Sequence, residues 1–293
     1  TKREIMQEIV RCGRDPVYFT NNYAKISEPM RGLIPFDLYD FQKEALGHFN
    51  ENRFSVILKA RQLGISTTVA AYVCWLMLFQ REKNVLVVAT KLSTATNLVK
   101  KIKSIHKHLP AWLKIADINI NNRTSFELTN GSQVKASSTS GDAGRSEALS
   151  LLVVDEAAFV EGMDELWAGL YPTLSTGGRC IAWSTPNGVG NWFHKTYSEA
   201  IEDKNDFFTI KLPWSVHPDR DEKWFEKETR NMSAREIAQE LECNFNASGD
   251  TVVSGDDIKR LLENCSEPQH RTGFDRNYWI WKPVEEGAEY LLC

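Results

Sequence analysis

The sequence predicts an α/β protein with a mainly parallel sheet flanked by helices, and two observations carry this prediction. Short, continuously apolar segments alternate with helical patterns along most of the chain, as expected for parallel strands that are covered on both faces. The chain has 293 residues, of which 42% are hydrophobic and 25% charged, which is typical of globular proteins and not of disordered or coiled-coil chains. This length allows one large α/β domain or two ordinary domains.

Strands and helices are assigned in chain order from these patterns. The predicted strands are residues 54–58, 85–89, 151–155, 180–184 and 207–212, with a hairpin of residues 124–128 and 133–136. The hairpin assignment depends on Asn130-Gly131, because Asn-Gly is the strongest short signal for a tight turn. The predicted helices are residues 66–80, 93–109 and 256–264, with one or two more in the charged segment 218–242, and the first fifty residues are expected to be mainly helical. Residues 289–293 resemble the start of a strand.

Net charge, cysteines and apolar runs exclude several classes of protein. The net charge of −4 argues against a chain covered in basic residues for nucleic-acid binding, although a local basic patch stays compatible with it. The six cysteines are scattered without a C-x-x-C pair, so neither a disulfide framework nor a cysteine-ligated metal site is expected. No apolar run approaches the ~20 residues of a membrane span. We expect a soluble globular protein of a reducing compartment.

The most informative segment is Lys59-Ala60-Arg61-Gln62-Leu63-Gly64-Ile65-Ser66-Thr67, between a predicted strand and a predicted helix. It can be aligned with the phosphate-loop pattern G-x-x-x-x-G-K-[ST], in which Gly64 takes the second glycine and Ser66 the hydroxyl position. Lys59 stands at the first glycine and Ile65 at the lysine. The helix start still forms an anion site, the Ser66 hydroxyl suits Mg²⁺, and Lys59 and Arg61 are nearby substitutes for the missing cation. A βα turn without a ligand explains this segment alone about equally well.

A second segment strengthens the nucleotide interpretation. Residues 151–156 form an apolar strand that ends in Asp155 and Glu156. In nucleotide hydrolases the first carboxylate of such a pair lies near Mg²⁺ and the second polarises the attacking water. The alternative is a buried strand that runs into an acidic loop, and the presence of the phosphate loop disfavours it.

Two further polar pairs are candidates for the same site. Ser184 and Thr185 end a predicted strand, where a hydroxyl can sense the γ-phosphate, although Ser-Thr-Pro-Asn-Gly alone indicates only a turn. Upstream of the loop, the Gln42 amide suits recognition of the adenine edge and the Tyr39 ring suits stacking on the base. On their own, Tyr39 and Gln42 indicate only the start of an amphipathic helix.

The order of these segments resembles the large terminase subunit of tailed bacteriophages, the motor that pumps viral DNA into a procapsid. The resemblance covers about residues 35–255 and is carried by Tyr-Asp-Phe-Gln at 39–42, Arg-Gln-Leu-Gly-Ile-Ser-Thr at 61–67, Phe-Glu-Leu-Thr-Asn-Gly-Ser at 126–132, Val-Val-Asp-Glu-Ala-Ala-Phe at 153–159 and Ser-Thr-Pro-Asn-Gly at 184–188. It implies a P-loop NTPase fold of the additional-strand conserved-glutamate type that hydrolyses ATP with Mg²⁺. In that family a ribonuclease H-like nuclease follows this domain.

The resemblance also implies roles for individual residues. Glu156 corresponds to the catalytic base, and Asp155 with Ser66 corresponds to the Mg²⁺ site. Ser184 and Thr185 correspond to the segment that couples hydrolysis to movement. The expected nucleotide-binding residues are Tyr39, Gln42, Lys59, Arg61, Gln62, Leu63, Gly64, Ile65, Ser66 and Thr67.

The cations of the site follow from the same resemblance. Arg61 resembles the loop arginine that is proposed in this family to act on the γ-phosphate in cis, and Arg145 resembles an arginine offered in trans to the neighbouring subunit of a ring. An ion pair within its own loop explains Arg145 equally well. Many relatives carry lysine where this chain has Ile65, but some place it at the front of the loop, so we assign the phosphate role to Lys59. If Lys59 points into the sheet, phosphate binding would rest on Arg61 and backbone amides.

The resemblance implies an ATPase core at residues 1–215, a lid at 216–255 and a hinge at 256–293 toward a nuclease domain. Relatives continue past a strand like 289–293 into the first acidic nuclease residue, so we expect no nuclease activity here. The implied partners are double-stranded DNA, a portal protein, a small terminase subunit and the nuclease domain, with no membrane. The implied location is the host cytoplasm, on a procapsid. A homo-oligomeric ring is implied for the assembled motor. Whether the chain is a monomer in isolation stays an open question.

Three further interpretations stay open. One predicted helix and its approach carry a basic set that suits DNA phosphates or a solvated helix face, namely Lys91, Lys100, Lys101, Lys103, Lys107 and His108. A helicase-like translocase shares the loop and the Asp-Glu strand, but it needs a second motor domain for which ~250–300 residues leave no room. An inert nucleotide fold that serves as a scaffold would explain Ile65, but it has no use for Glu156.

Overall fold

The described part of the chain comprises residues 1–138, 148–248, 265, 268–272 and 278–281 of a computed structural model. The chain divides into two compact units, Thr1–Gly249 and Asp250–Cys293. Arg145, the predicted helix 256–264 and the predicted strand start at 289–293 lie outside the described residues. Within them, no helix has both the length and the apolar character needed to cross a lipid bilayer.

Helices and strands alternate as the sequence predicts. The helices are α1 (Lys2–Arg14), α2 (Pro16–Tyr23), α3 (Asp40–Glu51), α4 (Ile65–Phe79), α5 (Leu92–Lys107), α6 (Met163–Leu170), α7 (Trp192–Ile201), α8 (Glu222–Thr229), α9 (Ala234–Glu240) and α10 (Phe245–Ser248). The strands are β1 (Lys25–Glu28), β2 (Gly32–Pro35), β3 (Phe54–Lys59), β4 (Asn84–Ala89), β5 (Ile118–Asn121), β6 (Ser125–Leu128), β7 (Gln133–Ser137), β8 (Leu151–Asp155), β9 (Arg179–Ser184), β10 (Phe207–Leu212), β11 (His270–Thr272) and β12 (Tyr278–Ile280). The five predicted strands and the hairpin are confirmed to within one residue at each end, whereas β1, β2, β5, β11 and β12 were not predicted.

The first unit is built on an eight-stranded sheet with the order β10-β3-β9-β8-β4-β7-β6-β5. The strands from β10 to β7 run parallel, and β6 and β5 add an antiparallel edge. The mainly parallel sheet is therefore confirmed. Strand β9 lies between β3, which leads into the phosphate loop, and β8, which ends in Asp155. This is the additional strand that the predicted fold type requires.

Helix α4 fixes the position of the loop that precedes it. Its sequence is apolar on almost every side, and all its residues except Ser66, Thr67 and Phe79 are buried, as expected for a helix enclosed by the rest of the protein. It packs against α2, α3 and α5. Each large apolar side chain buried there contributes roughly 1.5–3 kcal/mol, so the start of α4 is held by its packing.

The second unit is described over a short hairpin. Strands β11 and β12 pair antiparallel, with Arg271 opposite Trp279. The Arg271 guanidinium lies 4.6 Å from the centroid of the Trp279 ring, a distance at which the cation and the aromatic face attract each other. This contact supports the hairpin on its exposed side.

Candidate active site

The loop between β3 and α4 has the backbone of an anion site. Gly64 is the N-cap of α4, with a φ of 75°, and Gln62 has a φ of 59°. A Cβ at position 64 would lie 2.6 Å from Gln42 Nε2, so both the backbone angle and the available space require glycine. The N–H of Thr68 donates to the Gly64 carbonyl at 3.0 Å, and N–H groups nearer the helix start lack an acceptor four residues back. Such a helix start favours a phosphate group.

The phosphate-loop pattern has an uncharged residue at position 59 and lysine at position 65. In this chain the lysine is at position 59 and the uncharged residue, Ile65, is at position 65. Ile65 is 1% exposed and belongs to the core. Lys59 is 6% exposed, and its Nζ lies 3.0 Å from Glu156 Oε1. It lines a cavity of about 250 Å³ together with Gly64, Ser66 and Glu156. The lysine at the front of the loop therefore faces this cavity beside the acid.

Glu156 lies at the centre of a polar cluster. Its Oε1 accepts a hydrogen bond from Lys59, and its Oε2 accepts one from the buried Ser184 hydroxyl at 3.3 Å. The backbone of Glu156 is left-handed, with φ 52° and ψ 49°, which costs of order 1–3 kcal/mol for a residue other than glycine. Residues at the ends of the adjacent strands β3, β9 and β8 thus meet at one edge of the sheet.

Asp155 is a buried carboxyl group directly before Glu156. Asp155 is 7% exposed. Burial, and after it the charge of Glu156, raise the pKa of Asp155 to about 6, although Lys59 and Lys101 act in the opposite direction. A divalent cation would offset this unfavourable charge, and the Asp155 carboxylate and the Ser66 hydroxyl are hard oxygen donors of the kind Mg²⁺ prefers.

The donor set also suits the way in which Mg²⁺ accompanies nucleotides. In the described ranges, no group of three or more His, Cys, Asp or Glu side chains could hold a metal ion. Mg²⁺ at nucleotide sites usually takes one or two protein ligands, and phosphate oxygens and waters complete its shell. Ser66 and Asp155 fit this pattern, and their role in metal binding stays a prediction.

We expect Asp155→Asn to stabilise the chain when nucleotide and metal are absent. The pKa of Asp155 is about 6 in the folded chain against an ordinary value of 3.8, so the folded state binds the proton more tightly. The stability that this group contributes is therefore complete below about pH 4 and is lost as the pH rises through about 6. At about 1.4 kcal/mol per pH unit, the loss is on the order of 3 kcal/mol at neutral pH.

Urea unfolding near pH 7.5 and near pH 4.5 checks this expectation. The substitution should raise the free energy of unfolding at the higher pH and have a much smaller effect at the lower one. Asp37→Asn, at an exposed carboxyl group, is the control. An equal gain at both pH values would contradict the assigned cause.

Gln42 contacts the phosphate loop, and Tyr39 lies at the start of α3 beside Gln42. Gln42 is 2% exposed; its Nε2 donates to the Leu63 carbonyl at 2.9 Å and its Oε1 accepts from the Tyr39 N–H at 3.1 Å. The Tyr39 ring stacks on Phe41 at 5.7 Å between centroids and lies 4.5 Å from the ring of His217. These contacts tie the loop to the start of α3, and the adenine-binding roles of Gln42 and Tyr39 stay predictions.

Arg61 is tied to the segment that the sequence assigns to a lid. Its Nε lies 3.1 Å from Glu240 Oε2, and its backbone N–H donates to the Glu240 carbonyl at 2.8 Å. The guanidinium of Arg220 donates to the carbonyl oxygens of Arg61 and Gln62 at 3.2 and 3.1 Å. To act on a γ-phosphate, the Arg61 side chain would have to leave Glu240. Its γ-phosphate role stays a prediction.

Lys101 is a cation at this site for which the sequence offers no signal. It extends from α5, and its Nζ donates to the Thr67 hydroxyl at 3.1 Å. It lines the same cavity as Lys59 and Glu156. Burial lowers the pKa of Lys101, and the charge of Asp155 acts in the opposite direction. The sequence places Lys101 only among the candidates for DNA contact, because no phosphate-site pattern extends to this helix.

Both the sequence and the fold match large terminases. Residues 56–260 match the family described as "Terminase large subunit, T4likevirus-type, N-terminal". The large terminase ATPase domain of Thermus phage P74-26 is 19% identical, with a TM-score of 0.58 over 72% of this chain and 94% of that one. The HK97 bacteriophage large terminase is 15% identical, with a TM-score of 0.63 over 79% and 55%. The large terminase of a thermophilic bacteriophage, in complex with ADP, is 14% identical, with a TM-score of 0.56 over 70% and 52%.

These matches settle the fold and the family. The chain spans about half the length of the HK97 large terminase and of the ADP-bound large terminase. The structural matches show a shared P-loop NTPase fold, as predicted. The family match extends over more than half of the 293 residues, and the chain therefore belongs to the family of T4likevirus-type large terminase subunits, to which it aligns in their N-terminal region.

Proposed function

We propose that this chain is the ATP-hydrolysing motor part of a viral DNA-packaging terminase, which couples Mg²⁺-dependent hydrolysis to translocation of double-stranded DNA into a procapsid. The observation that carries the proposal is the contact of Lys59 and Ser184 with Glu156 beside a loop that suits phosphates. The relatives support it, since the P74-26 domain is described as an ATPase domain and the terminase of the thermophilic bacteriophage is in complex with ADP.

The chemistry follows from the groups around Glu156. Its carboxylate takes the proton of the attacking water as a general base. Lys59, and Arg61 once it leaves Glu240, offset negative charge on the transferring phosphoryl group. Lys59 lies 3.0 Å from Glu156 Oε1, and phosphate oxygens of ATP compete with that carboxylate for the lysine. Binding of ATP thereby frees Glu156 to orient water.

Ser66 and Asp155 are the residues that would hold Mg²⁺ in this mechanism. When bound, the ion supplies positive charge that polarises the phosphoryl oxygens. Ser66 is brought to the cavity by the start of α4, and Asp155 is fixed at the end of β8. The burial of Asp155 keeps its carboxylate away from bulk water, which strengthens its attraction to a cation.

A run of contacts leads from Glu156 toward the lid and supports the coupling roles of Ser184 and Thr185. Ser184 donates a hydrogen bond to Glu156, and the chain continues through the buried Thr185 to Gly188. The N–H of Gly188 donates to the Ser248 hydroxyl at 3.0 Å, at the end of α10. We infer that hydrolysis at Glu156 shifts this segment and, through it, the lid at residues 216–255 relative to the core at residues 1–215.

The partners belong to the same proposal and are supported by family membership. They are double-stranded DNA, a portal protein, a small terminase subunit and a nuclease domain joined through a hinge at residues 256–293. The proposed location is the host cytoplasm. In a homo-oligomeric ring, Arg145 acts in trans on the neighbouring subunit. A cavity of about 690 Å³ lined by Lys100, Lys103, Lys107 and Lys114 is the candidate contact for DNA phosphates.

Steady-state phosphate release from ATP tests the proposal. With Mg²⁺, linear double-stranded DNA and a high concentration of the chain, we expect turnover that falls by roughly two orders of magnitude when EDTA removes the metal. Added Mg²⁺ should restore it. Turnover that EDTA leaves unchanged would contradict the metal role, and a persistent lack of turnover would favour the inert scaffold. Strand separation by the chain would favour the helicase-like interpretation.

A further inference from the structure

Both basic side chains of the phosphate loop are already paired with carboxylates. The side chain at position 65 is an apolar isoleucine in the core. Lys59 is paired with Glu156 at 3.0 Å, and Arg61 is paired with Glu240 at 3.1 Å. Each of these two basic side chains therefore already has a carboxylate partner. ATP would have to displace a carboxylate to reach either of them.

Lys101 differs from both cations in its partner. Its Nζ donates to the neutral hydroxyl of Thr67 at 3.1 Å, so a phosphate oxygen can take up the ammonium without breaking an ion pair. Thr67 lies in the first turn of α4, directly after Ser66 and the helix start. Lys101 thus borders the place where the loop amides and the helix dipole favour an anion.

The surroundings of Lys101 favour a charged ligand there. It lines the cavity of about 250 Å³ that also contains Lys59, Gly64 and Glu156. The side chain as a whole is exposed, but the protein atoms around its ammonium lower its pKa by partial burial. The charged ammonium is thus partly withdrawn from water and gains from an anionic partner. Contact between α4 and α5 brings this side chain, from a distant part of the sequence, to the loop.

We propose that Lys101 binds the terminal phosphates of ATP and takes the place of the lysine that is missing at position 65. This inference rests on the proposed ATPase function. A lysine ammonium acts as a point charge on phosphate, and the Thr67 hydroxyl holds it at the cavity until a nucleotide arrives. Lys101 therefore distinguishes nucleotides by their number of phosphates and makes no contact with the base.

Calorimetric titration with ATP, ADP and AMP, without DNA, tests the inference in four chains. They are the wild type, Lys101→Ala, Lys101→Arg and Lys195→Ala, which removes an exposed lysine on α7. We expect Lys101→Ala to weaken ATP binding by about tenfold or more, because a hydrogen bond to a charged group is lost. AMP affinity should change little, Lys101→Arg should recover most of the ATP affinity, and Lys195→Ala should match the wild type.

The outcomes separate this inference from the proposed function. Equal ATP affinity in the wild type and Lys101→Ala would overturn the role of Lys101 and leave the ATPase proposal standing. An equal loss for ATP and AMP would also overturn it, because a general disturbance of the site has that signature. A wild-type chain that binds no nucleotide would overturn both proposals. Thermal unfolding of each variant shows whether it is folded before titration.

Discussion

Glu156→Gln is expected to reduce ATP turnover by about 10²–10⁴-fold, the usual contribution of a general base. The amide has nearly the same shape as the carboxylate and can still contact Lys59 and Ser184, but it cannot accept a proton from water. ATP binding should therefore persist while kcat falls. Phosphate-release kinetics give kcat, and calorimetric titration with ATP gives the affinity.

Glu161→Gln is the matched control for this prediction. Glu161 lies five positions further along the same segment and is exposed, so its replacement changes the net charge by the same amount without affecting the site. It should retain turnover near the wild type. Wild-type turnover in Glu156→Gln would show that another group activates the water, whereas loss of ATP binding together with turnover would indicate a disturbed site.

Lys59→Ala is expected to lower kcat/KM for ATP by about 10²-fold, as is typical when one donor that stabilises developing charge is removed. Lys59 is the loop cation within 3.0 Å of Glu156, so its loss removes positive charge beside both the phosphates and the base. Steady-state kinetics at several ATP concentrations measure the effect. Thermal unfolding measures separately any stability lost when the carboxylate of Glu156 loses its partner.

Lys211→Ala on the adjacent strand β10 is the control for Lys59→Ala. Lys211 pairs in register with Leu58 and is exposed, so its replacement changes charge near the same strand end. Turnover close to the wild type in Lys59→Ala would refute the role assigned to this lysine. Phosphate binding would then rest on Arg61, Lys101 and the loop amides.

Much of the fold could be predicted because strands covered on both faces have to be continuously apolar. Strands β3 and β8 are buried at every position, and their bounds were predicted to within one residue. The hairpin could be predicted for a similar reason, because Asn130-Gly131 is a local turn signal. Strands β1 and β2 were missed because they have no buried residue and therefore no apolar pattern.

The site could be predicted where its residues belong to short sequence motifs. Gly64 and Ser66, and likewise Asp155 and Glu156, belong to short local patterns, so the sequence identifies them. The position of β9 between β3 and β8 depends on strand order, which no local pattern specifies and which only the family resemblance implied. The contact of Lys101 with Thr67, and that of Glu240 with Arg61, join residues far apart in the chain, and only the packing of helices around the sheet brings them together.

The hydrogen bonds from Arg220 to the Arg61 and Gln62 carbonyls, with the pairing of Arg61 and Glu240, have a mechanical consequence. If ATP changes the strength of these bonds, then thermodynamic reciprocity requires that a force on the segment around α8 and α9 also changes the affinity for ATP. In the proposed packaging motor, tension that the DNA transmits to that segment would change the affinity for ATP before hydrolysis. The phosphate loop would thus respond to mechanical load as well as bind the nucleotide.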